Sequence, residues 1–160
     1  MAQRWPRGSR LEGRRFPGTL RDSSPTAMDL SAINWIAVFV ATGAAFALGA
    51  VWYGPLLFGT RWQALVGLTD ESIQNANMGA IYGGAFVLQA IAVIVLSLLI
   101  GPEATMGEGA LTGLGVGAAW VATALGVTYL FSQKPFALYL IDAGYHVAYY
   151  TIAGMVIGAF

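Results

Sequence analysis

Four apolar blocks, each about 20 residues or longer, are set apart by Gly54-Pro55, by Gly101-Pro102 and by the stretch from Ser132 to Pro135. Twenty residues of helix reach roughly the 30 Å of a bilayer's hydrocarbon core. In lipid every backbone N–H and C=O must be satisfied inside the protein, so blocks of this kind are helices. The pattern predicts an all-α membrane protein with four transmembrane helices arranged as two helical hairpins, with spans at about 32–53, 78–100, 107–131 and 136–159. Composition agrees: 57% of residues are hydrophobic and only 10% are charged, against about 25% charged in soluble domains.

The boundaries carry their own signals. Asp29 or Ser31 is placed to cap the first helix. Phe58, Trp62, Leu65 and Val66 flank Arg61 at roughly helical spacing, which fits a short helix or an anchored loop in the headgroup zone. Thr69 followed by Asp70 and Glu71 reads as an N-cap with acids in the first turn, opening a helix that enters the membrane near Gly79. Thr105 and Glu108 have the spacing of a capping box for the third helix, and Pro135 suits the first turn of the fourth.

Six arginines, Arg4, Arg7, Arg10, Arg14, Arg15 and Arg21, supply most of the basic charge and lie in residues 1–27. This stretch has no apolar periodicity, so a disordered basic tail is expected there, with Met28 as the expected start of translation. A signal peptide fits less well, because its basic region would be overlong and the apolar run continues past Ala45-Phe46-Ala47. With the tail, the positive-inside rule places both termini in the cytoplasm; without it, Arg61 and Lys134 favour the reverse. The absence of cysteine excludes disulfides and thiolate chemistry, and a single histidine excludes a bis-histidine haem or an H-E-x-x-H zinc site within one chain.

Asp142 and His146, the sole histidine, lie four residues apart in the last block and therefore on one helical face. Charged groups cost roughly 2.5 to 3.5 kcal/mol at the centre of a span, so this pair is expected to face protein or trapped water. Gln89 lies at a depth matching His146, and folding the last two spans about a turn centred near residue 133 brings Thr123 level with the pair. Asp142, His146, Gln89, Thr123 and Tyr149 thus form a candidate cluster for handling protons or a polar solute, or for fixing helix packing by hydrogen bonds. No metal site or cofactor is expected, since no further histidine or deep carboxylate is at hand. Trp52, Tyr53, Trp62, Tyr139, Tyr149 and Tyr150 mostly fall near span ends or on the fourth helix, where an aromatic belt accounts for many of them. Small residues recur every four positions, as in Gly109, Gly113 and Gly117 or Gly154 and Gly158, a spacing for close helix packing within the chain or in a homo-oligomer.

Asn34-Trp35, the run Trp52-Tyr53-Gly54-Pro55 with Phe58-Gly59 and Trp62, Val66-Gly67-Leu68-Thr69, and Tyr139 through His146 together cover nearly all of residues 28–160. In this combination the chain resembles the domain-of-unknown-function 1761 family of small, mainly bacterial integral membrane proteins. The resemblance implies four spans and residence in a cell membrane, the bacterial inner membrane, and implies no activity. The basic tail departs from it.

Two functions follow as expectations. One is a small proton-linked carrier or channel-like protein, acting as an oligomer on a substrate the sequence does not name. The alternative is a non-catalytic membrane structural or partner-stabilising module. An enzyme ranks third, for want of a nucleophile, base and acid set. The lipid bilayer is the expected partner and nucleic acid is not. A wetted cavity reaching Asp142 would mark a carrier, and a carboxylate sealed by side chains would mark a module.

Overall fold

The computed structural model describes residues 30–160, and every regular element among them is helical. A 3-10 turn, Leu30–Ala32, leads into α1 (Trp35–Trp52), α2 (Gly59–Val66), α3 (Asp70–Gln74) and α4 (Met78–Ile100). The chain continues through α5 (Met106–Gly115), a π-helical segment (Val116–Val121), α6 (Ala122–Phe131) and α7 (Phe136–Ile157). The tail 1–27, the start at Met28 and the Asp29 cap lie outside the described residues.

The first helix is capped by Asn34, whose side chain accepts hydrogen bonds from the backbone N–H groups of Ile36 and Ala37, both at 3.1 Å. The cap falls at Asn34 and not at Ser31, because an extended Asn34 directly precedes the first helical residue. Thr69 does cap a helix and pairs with Ser72 in a capping box, but α3 stops at Gln74. Asn77 then caps α4 through Ala80 N–H at 3.0 Å, so the helix expected to run from Thr69 into the second apolar block is two helices. Thr105 and Glu108 form the capping box expected of them.

Among the described residues, three helical stretches are long and apolar enough to cross a membrane: Trp35–Trp52, Met78–Ile100 and Met106–Phe131. The expected fourth, Phe136–Ile157, has 22 residues but is not among them. Asp142, His146 and the tyrosines at 139, 145, 149 and 150 dilute its apolar character, and it is instead the best packed helix of the four.

Helix α7 touches α1, α2, α4, α5, the π-helical segment and α6. Leu138, Ile141, Ala143, Tyr145, Tyr149, Ala153, Gly154 and Ile157 are buried along it. A Cβ built on Gly109 would overlap the carbonyl oxygen of Gly154, and one on Gly113 that of Tyr150. Further along, a Cβ on Gly117 would lie 2.9 Å from Cα of Val147 and 3.0 Å from the His146 oxygen. The paired residue numbers run in opposite directions, so α5 and the π-helical segment lie antiparallel to α7 with their backbones in direct contact. Glycine makes this approach possible, since any larger residue holds the helices apart. Ala41, Ala45, Val93, Leu96, Tyr145 and Tyr149 fill the space between α1, α4 and α7. The outer surface is apolar: Phe39, Leu88, Leu111, Trp120 and Leu130 are all largely exposed, an exterior suited to lipid.

Candidate functional site

The Asp142 carboxylate is the meeting point of four elements. Oδ1 accepts from the Tyr53 hydroxyl at 2.8 Å and from Trp62 Nε1 at 2.9 Å, and Oδ2 accepts from the Tyr129 hydroxyl at 2.5 Å. Tyr53 directly follows α1, Trp62 is on α2 and Tyr129 is in the last turn of α6. All three donors are neutral. Oxygen and nitrogen donors at these distances stabilise a carboxylate strongly when it is ionised. No described cation pairs with it, and its partners among the described residues are these three hydrogen-bond donors.

Local structure explains how the donors arrive. After α1 the chain folds back on itself: the N–H groups of Phe58 and Gly59 donate to the carbonyls of Trp52 and Gly54 at 3.0 Å. A Cβ on Gly59 would overlap the carbonyl oxygen of Tyr53, so only glycine permits a turn this tight. The turn starts α2 beneath the end of α1 and brings Trp62 against Tyr53 edge to face, with ring centroids 5.2 Å apart and planes at 66°. Trp52 reaches the same part of α7, donating from Nε1 to the Ile141 carbonyl at 3.0 Å and lying close over Gly144.

His146 sits one turn further along α7. It makes no hydrogen bond to Asp142, and its buried Nδ1 has no hydrogen-bond partner among the described residues. Its ring packs among those of Tyr145, Tyr149 and Tyr150, with centroids at 5.3, 6.1 and 6.3 Å. Gln89 approaches this level from α4, where its Nε2 donates to the Tyr145 hydroxyl, and the Tyr149 hydroxyl donates to the Gln89 backbone oxygen at 3.3 Å. The buried Gln89 Oε1 likewise has no partner among the described residues. With a rise of about 1.5 Å per residue, Asp142 lies roughly 9 Å into α7 and His146 near its middle. The polar residues therefore form two adjoining layers: Asp142 with Tyr53, Trp62 and Tyr129, and His146 with Gln89, Tyr145 and Tyr149.

Of the five residues expected to cluster, Asp142, His146, Gln89 and Tyr149 lie in these layers. Thr123 lies outside them: it is exposed, and its hydroxyl donates to Ala119 and Trp120 carbonyls of its own helix at 2.9 Å. Thr128 behaves in the same way toward Ala124. The residues that hold Asp142 were not among those expected. Tyr53 and Trp62 read in the sequence as belt aromatics, and Tyr129 carried no signal beyond standing three residues before the turn. Among the described residues no three of His, Asp and Glu are grouped as a metal would require.

A family model described as "Protein of unknown function (DUF1761)" matches residues 36–158. No curated protein and no solved structure matches the chain. The match spans most of the 160 residues and agrees with the resemblance read from the Trp-Tyr-Gly-Pro and Tyr139 to His146 motifs. The chain belongs to that family.

Proposed function

We propose that this member of the family is a four-span integral membrane protein, folded as two helical hairpins, that acts as a non-catalytic structural or partner-stabilising module. In this reading Phe136–Ile157 is the fourth span, and its polar residues are tolerated in the bilayer because they face protein. One observation carries the reading: both oxygens of Asp142 are occupied by side chains from three other elements. A carboxylate engaged in this way is half-buried and fastens α1, α2 and α6 to α7 through its three donors. Hydrogen bonds between membrane helices contribute about 0.6 kcal/mol each, up to about 1.7, so three on one carboxylate fix the arrangement of a small bundle.

A second reading, the small proton-linked carrier or channel-like protein, draws on a different observation. Asp142 has no described counter-cation, and in the next layer the buried His146 Nδ1 and Gln89 Oε1 have no partner among the described residues. Such groups are places for a water or a transferable proton.

Proteoliposomes loaded with a pH-sensitive dye and challenged with a proton gradient and a solute screen separate the two. The module reading predicts that no solute produces a flux that Asp142→Asn abolishes, and that Asp142→Asn accumulates nearly as well as wild type. Flux that depends on Asp142 and His146, lost in folded Asp142→Asn and His146→Gln proteins, would overturn it in favour of the carrier.

A further inference from the structure

Beside Tyr129 lies a hollow of about 200 Å³ lined by Gly126, Tyr129, Leu130, Lys134, Phe136 and Tyr139. Its walls are aromatic: Tyr139 packs against Tyr129 and Phe136 with ring centroids 6.2 and 5.6 Å away. Its floor is Gly126, where a Cβ would come within 3.3 Å of the Tyr139 ring. Lys134 stands on the turn between α6 and α7, which is well fixed. Gln133 takes a left-handed conformation at φ 52°, Lys134 N–H donates to the Tyr129 carbonyl at 3.0 Å, and Ser132 Oγ donates to the Thr128 carbonyl at 2.6 Å. The Lys134 ammonium forms no ion pair with any described residue.

We infer that this hollow binds one anionic lipid, with its phosphate at Lys134 and the upper part of an acyl chain between Phe136, Tyr139 and Leu130. The choice of occupant rests on three features. The lone cation calls for an anion. The walls call for hydrocarbon, and the rim residues Leu130 and Phe136 are 79% and 69% exposed, so the hollow opens onto the apolar exterior of the bundle. The volume is below the ~300 to 1,000 Å³ of pockets that enclose a whole small molecule, which suits one segment of an amphiphile. Because Tyr129 is both a wall of the hollow and a donor to Asp142, the lipid would brace the same hydroxyl that fastens α6 to α7.

The inference rests on the four-span reading, which retention of the wild-type chain in carbonate-washed membranes tests separately. The test itself uses the purified full chain in mild detergent, with bound phosphatidylglycerol and phosphatidylcholine counted by native mass spectrometry. Wild type should prefer phosphatidylglycerol by about fivefold at this site, the contribution of one lysine near an anionic surface. Lys134→Gln should lose that preference, whereas Arg61→Gln, the same charge change at an exposed position of α2, should keep it. Gly126→Leu, which fills the floor, should lower retention of both lipids, and excess inorganic phosphate should not displace the bound lipid. The proposal is overturned if Lys134→Gln leaves the preference intact, if Arg61→Gln removes it equally, or if inorganic phosphate competes the lipid away.

Discussion

The two halves of α7 are held by opposite means. Its C-terminal half meets α5 and the π-helical segment through glycines, backbone against backbone, with Gly109, Gly113 and Gly117 seated against Gly154, Tyr150 and His146. Its N-terminal half is joined to its neighbours through side chains instead, with Tyr53, Trp62 and Tyr129 reaching Asp142 by hydrogen bonds. The seam excludes everything larger than hydrogen, so it specifies distance. The aromatic cage tolerates small shifts of each helix but demands one acceptor at one place, so it specifies rotation and register. A helix that must carry a carboxylate in an apolar setting gains from having both.

This contrast can be broken at either half. The largest effect is expected in the seam: Gly113→Val drives a branched side chain into the Tyr150 carbonyl, where neither backbone can yield, and should cost about 3 kcal/mol or more. Reversible unfolding in mixed detergent would measure it, and a loss below about 1 kcal/mol would remove the claim that the backbones are in contact. Next comes Asp142→Ala, which leaves three donors without their acceptor and should cost about 2 kcal/mol by the same assay. Asp142→Asn, which keeps an acceptor oxygen, should recover more than half of that loss. Tyr53→Phe removes a single bond to Oδ1 and should cost about 1 kcal/mol. Thr123→Val should change stability by less than about 0.5 kcal/mol, because its hydroxyl only returns to its own helix. A Thr123→Val loss larger than that of Tyr53→Phe would mean that the polar face of α6 is the one the sequence suggested.

The sequence made helix levels legible and helix rotations illegible. A turn centred near residue 133 predicts which residues of the third and fourth helices lie side by side to within a turn, and Gly126 beside Tyr139 and Gly117 beside His146 agree with it. Rotation failed at Thr123 and Thr128, because a threonine in a helix can satisfy its hydroxyl on a carbonyl of the preceding turn and need not face inward. The aromatic residues failed for another reason. A tryptophan or tyrosine at a span end is equally suited to a headgroup belt and to a tertiary hydrogen bond, and only the tight return at Gly59 turns Trp62 toward Asp142. Glycine spacing was legible as close packing, yet only partly as to partner. Gly109, Gly113 and Gly154 meet within the chain, whereas a Cβ on Gly83 would meet nothing within 4 Å. The shortfall in apolar character of α7 is the same fact as its central position: the helix that touches most others can carry the polar residues that lipid would reject.

The central claim is that Asp142 is held by donors from three separate elements, and Trp62 reports on it directly. In a ¹⁵N-¹H spectrum of the full chain in detergent micelles, the Trp62 indole N–H should resonate downfield of those of Trp35 and Trp120, which are largely exposed. In Asp142→Ala it should move into their range, while the Trp52 indole, bonded to the Ile141 carbonyl, moves much less. A Trp62 resonance that already lies with Trp35 and Trp120 in the wild type, or that ignores the loss of the carboxylate, would contradict the account.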